Sequence, residues 1–244
     1  MRRSLLAVPV VAAMVFAVLA SPAHAIIDGQ PDGNAHPYVV AVRSPTGGVC
    51  TGSVISAHRV LTAAHCMPPR ATARVVFGPD ARTSTSFVLG TFHPHPGWCA
   101  GCGGGVPGLD TNDVAIIVVG AAMPGPYASL PAPGAAGVLP QKQVVTSVGY
   151  GIRVRAKDFA GQVLERYRVD SEVIASNHRI SGEYLRLSAS KGGTCSGDSG
   201  GPSLVGDTIM GITAFSVNGN CAGVTYAQRI DIPQARGFID SFAP

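Results

Sequence analysis

Three short stretches carry side chains that can do chemistry together. Residues 193–202 read Gly-Thr-Cys-Ser-Gly-Asp-Ser-Gly-Gly-Pro and set Ser199 among glycines. A serine hydroxyl is a weak nucleophile. It attacks a carbonyl only when a base takes its proton, and that base works best when a carboxylate fixes its tautomer. Upstream, Leu61-Thr62-Ala63-Ala64-His65-Cys66 supplies an imidazole, and Thr111-Asn112-Asp113-Val114-Ala115 supplies a carboxylate. Taken singly, the histidine reads as a satisfied polar residue, the aspartate as a turn former and the glycine-rich segment as a loop. Taken jointly, they form a set of nucleophile, base and orienting acid. The order His, Asp, Ser excludes a secreted lipase or esterase, which needs Gly-x-Ser-x-Gly and the order Ser, Asp, His.

With TAAHC, an Asp-Val-Ala segment and GDSGGP in that order, the chain resembles the chymotrypsin/trypsin-like serine endopeptidases over nearly all of residues 26–244. The resemblance implies an all-β fold: two packed antiparallel six-stranded β-barrels and a C-terminal helix, with catalytic groups drawn from both sides of a cleft. It implies that Ser199 is the nucleophile, that His65 takes and returns the proton, and that Asp113 orients the imidazole and stabilises its cation. The backbone N–H groups of Gly197 and Ser199 would hold the oxyanion. Cys50 and Cys66 match the bridge beside the family's histidine, and Cys195 and Cys221 the one beside its specificity pocket. Peptide or protein substrates are implied, with no cofactor and no metal.

Cys99 and Cys102 fall outside that pattern, in His93-Pro-His-Pro-Gly-Trp-Cys-Ala-Gly-Cys102. They read as a redox dithiol, as zinc ligands with His93 and His95, or as a small disulfide pinching a loop, and an oxidising compartment favours the last. The segment after His65 offers only Asp80 as a carboxylate, which suits a turn better than a calcium loop.

Residues 23–29, Ala-His-Ala-Ile-Ile-Asp-Gly, join an Ala-x-Ala cleavage pattern directly to Ile26-Ile27-Asp28-Gly29. Proteins resembling this one become active when a new terminus of the Ile-Val-Gly-Gly kind folds inward and its ammonium pairs with the aspartate before the nucleophile. Here the pair would be Ile26 and Asp198. A signal peptidase cutting after Ala25 would then make the activating terminus itself. Asp28 departs from the family's usual glycine.

Where trypsin-like members carry an aspartate six residues before the nucleophile, this chain has Gly193, so a basic substrate residue would find no counter-charge. The pocket is expected from Gly193, Ala214, Phe215, Ser216 and Gly223, favouring an apolar residue before the scissile bond. Ala214 replaces a serine that commonly supports the catalytic aspartate. That leaves an alternative: a protease-like binding protein with weak or no turnover.

The elements that must position these groups are short. Branched runs (YVVAV, SVISAHRVL, RVVF, VAIIVV, QVVTSV, VLERYRVDSEVI, IMGITAFSV) are punctuated by turn residues, with 31 Gly and 19 Pro in 244 residues. Many short strands of this kind predict barrels or a sandwich. Only IDIPQARGFIDSF reads as a helix, with Asp231 and Pro233 as a cap and first-turn pair. A first barrel is expected over about 26–128, a second over about 141–232 and the helix over about 233–242. The Pro/Gly/Ala-rich stretch 121–140 is the extended connection between barrels, in which Tyr127, Leu130, Val138 and Leu139 can pack.

Residues 1–25 read as a secretory signal: Arg2 and Arg3, an apolar run from Leu5 to Ala20 interrupted by Pro9, then the cleavage site. A secreted, extracellular monomer with no membrane attachment after signal removal is expected. The net charge of +4 gives no footprint for nucleic acid. Arg153, Arg155 and Lys157 are expected on an exposed, solvated loop.

Overall fold

The computed structural model describes residues 26–103, 108–152, 164–176 and 182–242. The expected signal (1–25) and the basic loop at 153–157 lie outside the described residues. No helix among the described residues is long and apolar enough to cross a membrane.

The first barrel closes in the order β2-β3-β4-β7-β6-β5, from β2 (Val39–Arg43), β3 (Val49–Ser56), β4 (Arg59–Thr62), β5 (Thr72–Val76), β6 (Phe87–Pro94) and β7 (Ala115–Val119). All its pairings are antiparallel. The second is built from β8 (Val144–Gly149), β9 (Tyr167–Ala175), β10 (Tyr184–Ala189), β11 (Pro202–Val205), β12 (Thr208–Ser216) and β13 (Gly223–Arg229). Its order is β9-β10-β13-β12-β11-β8, and pairing of β8 with β9 closes the ring. The chain is therefore all-β, with two six-stranded antiparallel barrels and one helix, α1 (Pro233–Asp240).

Strand periodicity explains which side chains fill the barrels. In β9, Tyr167, Val169, Ser171 and Val173 are buried while Asp170 and Glu172 are exposed, the period-two pattern of a half-buried strand. The central strands of the first barrel carry fully buried Val39, Val40, Val60, Leu61, Ile116 and Ile117. The outer-facing Phe87 and Leu89 of β6 remain exposed, so β6 reads less clearly in sequence than its neighbours.

Two expectations change. Residues 26–31, expected with the first barrel, attach to the second: β1 (Gln30–Pro31) pairs with β9, and Ile27 pairs with Gly193. Asp231 does not cap the helix, whose N-cap is Ile232 and whose first turn begins at Pro233. The Asp231 carboxylate instead accepts two hydrogen bonds from Arg229, at 2.9 and 2.8 Å, and one from the Ala136 N–H at 2.8 Å. A buried bidentate partner outcompetes a cap that would leave Arg229 Nε and Nη2 without their carboxylate. The same contacts seat the 121–140 connection, where Leu130 and Leu139 pack on the cores while Val138 stays exposed.

Candidate active site

His65 stands on a single 3-10 turn, Ala64–Cys66, at the end of β4, and the Cys50–Cys66 disulfide fixes that turn to β3. Asp113 lies just before β7, after Asn112, whose φ of 49° is a left-handed conformation that asparagine tolerates better than most residues. The His65 Nδ1 atom is 2.8 Å from Asp113 Oδ2, and the His65 N–H donates to Asp113 Oδ1 at 3.0 Å. Both carboxylate oxygens thus engage one residue, which fixes the imidazole's rotation and places the proton on Nδ1. Asp113 is buried, whereas the imidazole side chain keeps 29% exposure. One edge faces the carboxylate and part of the ring stays accessible to solvent.

Burial opposes a charged His65, but the Asp113 hydrogen bond and the charges of Asp113 and Asp110 outweigh it and hold the imidazole above its ordinary value. Asp110 was not anticipated from sequence. Its carboxylate accepts from Trp98 Nε1–H at 2.9 Å and Gly101 N–H at 2.8 Å, within a loop pinned by the Cys99–Cys102 disulfide. One ligand-type atom from each of His65, Asp110 and Asp113 lies within 4.8 Å of the others. The loop signal was legible in the Cys-Ala-Gly-Cys spacing; the carboxylate it aims was not.

The Ser199 loop packs directly onto the histidine's segment. The Ser199 carbonyl accepts the Thr51 N–H at 2.8 Å, and Thr62 Oγ1 donates to the Thr51 carbonyl at 2.7 Å. Gly200, at φ +79°, sits so close that an added Cβ would lie 2.6 Å from the Ala63 nitrogen. The Thr51 hydroxyl donates to the Gly197 carbonyl at 2.9 Å and accepts the Tyr150 N–H at 3.0 Å. Gly197 adopts φ +97°. Among the described residues, neither the Gly197 nor the Ser199 N–H donates a hydrogen bond.

Asp198 is fully buried and accepts the N–H groups of Cys195 and Gly151, each at 2.8 Å. Burial pushes its carboxyl up to about 7 despite those two bonds. Gly149 and Gly151 make room for it: a Cβ on Gly149 would collide with Oδ1, and one on Gly151 would lie 2.6 Å from the carboxyl carbon. Gly149-Tyr150-Gly151 is the trace of this packing in the sequence. Ile26 is fully buried against Tyr167 and Val169, and Ile27 exchanges two backbone bonds of 3.0 Å with Gly193. Residues 26 and 27 are thereby seated beside the loop that carries Asp198.

A cavity of about 210 Å³ opens beside Ser199. The Cys195–Cys221 disulfide, the run Thr213–Ser216, Ser196 and Asn218 line it, and among the described residues no Lys, Arg, Asp or Glu does. Ala214, Phe215 and Ser216 lie on its wall. Gly193 and Gly223 do not: Gly193 is buried with its backbone tied to Ile27, and Gly223 is exposed at the start of β13. All six cysteines are paired.

Two barrels with a buried aspartate bonded to a half-open histidine, against a glycine-rich serine loop, define a protein of the chymotrypsin-like serine protease class. The family model described as Trypsin matches residues 26–239, and the chain belongs to that family. Its relatives include trypsin eta of Drosophila erecta, 30% identical over 86% of each chain. Brachyurin of Leptuca pugilator is 29% identical over 77% of this chain and 84% of its own. A trypsin of Saccharopolyspora erythraea is 28% identical over 78% and 86%. Among solved structures, an HL collagenase superposes with a TM-score of 0.72 at 20% identity, over 88% of this chain and 97% of its own. Human heparin binding protein gives 0.69 at 19% identity, over 90% and 98%. Family membership supports a serine endopeptidase acting on peptides or proteins.

Proposed function

We propose that this chain is a secreted serine endopeptidase that works through an acyl-enzyme on Ser199. The observation that carries this reading is the doubly bonded His65–Asp113 pair packed against the Ser199 loop. In this mechanism Nδ1–H stays with Asp113, so Nε2 is the free base that takes the Ser199 proton as Oγ attacks the scissile carbonyl. The Gly197 and Ser199 N–H groups receive the oxyanion. Collapse breaks the C–N bond, and His65 returns the proton to the leaving amine. Water, deprotonated by the same imidazole, then releases the acid and regenerates Ser199.

The uncharged cavity supports cleavage after apolar residues and disfavours Lys or Arg, whose charge would be buried without a partner. The buried Asp198 carboxylate supports activation by a free amine at Ile26: a cation there would relieve a desolvated acid. We infer that signal peptidase creates this terminus by cutting after Ala25, leaving no zymogen stage.

The test is amino-terminal sequencing and substrate profiling of the secreted protein beside Ser199→Ala. The expected result is a start at Ile26, hydrolysis after apolar residues and a loss of roughly 10⁴-fold or more in kcat for the variant. Active enzyme beginning elsewhere would remove the processing step, and activity in Ser199→Ala would remove the nucleophile. Ala214 favours one second reading, a binding protein without turnover. Failure of a phosphonofluoridate to label Ser199 would establish that reading instead.

A further inference from the structure

Asp113 belongs to the first barrel, yet two side chains of the second barrel bind the backbone that carries it. The Asp113 N–H donates to Gln228 Oε1 at 3.0 Å, and the Asn112 N–H donates to Glu183 Oε2 at 3.1 Å. Gln228 lies in β13, between Tyr184 of β10 and Ile212 of β12. It is fully buried at a position in mid-sheet where an apolar residue would be expected. A buried amide there is costly unless every group is paired, and here each is. Its Nε2 donates to the carbonyls of Glu183 and Arg229, both at 3.2 Å, so its oxygen must face Asp113. The Arg229 N–H donates to the same Glu183 carbonyl at 2.7 Å, which locks the Glu183 backbone as well.

Between these two clamps the chain takes the left-handed turn at Asn112, and the Asn112 Nδ2 donates to the Gly97 carbonyl at 3.0 Å. Asparagine tolerates this conformation, and the bonds on both sides of it fix the direction in which the chain leaves the turn. The carboxylate that follows has no hydroxyl from residue 214 to hold it, because that residue is alanine. We propose that Gln228 and Glu183 are positioning residues, which hold the Asn112–Asp113 backbone across the inter-barrel interface so that the carboxylate meets His65 with both oxygens. This inference rests on Asp113 acting in catalysis as described above. The device takes over, from the backbone side, the restraint that a serine hydroxyl would give from the side-chain side.

A double-mutant cycle on the secreted enzyme tests it. Gln228→Met keeps length and removes the acceptor. The expected result is a fall in kcat of about tenfold with KM within about twofold. In an Asp113→Ala background the same change should cost less than about twofold, because a residue acting through Asp113 has nothing left to position. In Gln228→Met the low-field proton resonance of His65 Nδ1–H should also shift or broaden. Equal losses in both backgrounds, or an undiminished kcat in Gln228→Met, would overturn the proposal. If Gln228→Met does not fold, Glu183→Ala enters the same cycle with the same expectation, and Glu183→Gln, which keeps an acceptor, should restore kcat to within about twofold. Full activity in Asp113→Ala alone would bring down the catalytic reading itself, and this inference with it.

Discussion

The Ser216 hydroxyl donates to the Thr194 carbonyl at 3.0 Å and so ties the β12 wall of the cavity beside Ser199 to the loop that carries Ser199. The bond fixes the Ser216 side chain on the wall of a cavity of about 210 Å³, a volume that admits a benzyl group as well as smaller apolar side chains. The Ser216 side chain, rather than the volume, should therefore set the balance between Phe and Ala. Ser216→Gly removes both the side chain and the tie, and should move the Phe-to-Ala ratio of kcat/KM toward Phe by about tenfold. A panel of peptide anilides differing only in the residue before the scissile bond reads this directly. An unchanged ratio would mean that Ser216 does not limit the pocket.

The pH profile should carry the mark of Asp110. His65 must be neutral to act as a base, and its folded-state value lies above the ordinary 6.5 because two carboxylates favour its cation. The acid limb of kcat/KM should thus have its midpoint above 6.5 in the wild-type enzyme. Asp110→Asn keeps an acceptor for Trp98 and removes one charge, so the limb should move to lower pH while kcat on the alkaline plateau stays within about threefold. Stability linked to this histidine has the matching sign. It is fully present below the unfolded value and is lost as pH rises through the folded one. A limb that stays in place in Asp110→Asn would show that the charge is screened in solution.

The space around Asp198 gives a sharper structural prediction. Gly149 and Gly151 both face its carboxylate, and a methyl on either enters the space that the oxygens fill. Gly151→Ala should push Asp198 off the Cys195 and Gly151 N–H groups and so disorder the Gly197–Ser199 backbone. The expected outcome is a loss of at least about 10²-fold in kcat, the scale of a lost oxyanion donor. The fold should survive. Circular dichroism beside a burst titration of Ser199 would separate the two, and a full burst in Gly151→Ala would refute the coupling.

The barrels and the His65, Asp113 and Ser199 stretches were legible because their signals are local: branched runs, turn residues and three short motifs. What escaped the sequence depends on long-range placement. Asp231 looks like a helix cap only until Arg229 is seen to claim both its oxygens. Ile27 and Pro31 precede first-barrel strands in the chain, yet their backbone partners lie more than a hundred residues on, at Gly193 and Tyr167. The position of Gly193 six residues before Ser199 suggests the pocket, while in space its backbone pairs with Ile27. Gln228 and Asp110 carry no motif at all. Their roles arise only once the two barrels meet.

The inter-barrel ion pair makes the last prediction. Arg166 and Asp32 both have fully buried side chains, with Arg166 Nε donating to Asp32 Oδ2 at 2.8 Å. The guanidinium also donates to the carbonyls of Val39, at 2.8 Å, and Gly33, at 2.7 Å, while His36 Nδ1 lies 2.5 Å from Asp32 Oδ1. The network joins the segment entering β2 to the start of β9. Burial works to raise the Asp32 carboxyl, but His36 and Arg166 prevail and hold it below its ordinary value. Its contribution to stability is therefore present above the unfolded value of 3.8 and is lost as pH falls through the folded one. Arg166→Met leaves Asp32 buried beside His36 without its guanidinium and should destabilise the fold by roughly 3–5 kcal/mol. For a chain of this size that lowers Tm by about 10 °C. Adding Asp32→Ala to Arg166→Met removes the stranded charge and should recover at least half of the loss, since two apolar groups cost less than one unpaired ion. Thermal melts of the wild type, the single and the double variant at pH 7 decide the matter. A single variant within about 1 kcal/mol of wild type would mean that water reaches Asp32 and that the pair does not hold the barrels in register.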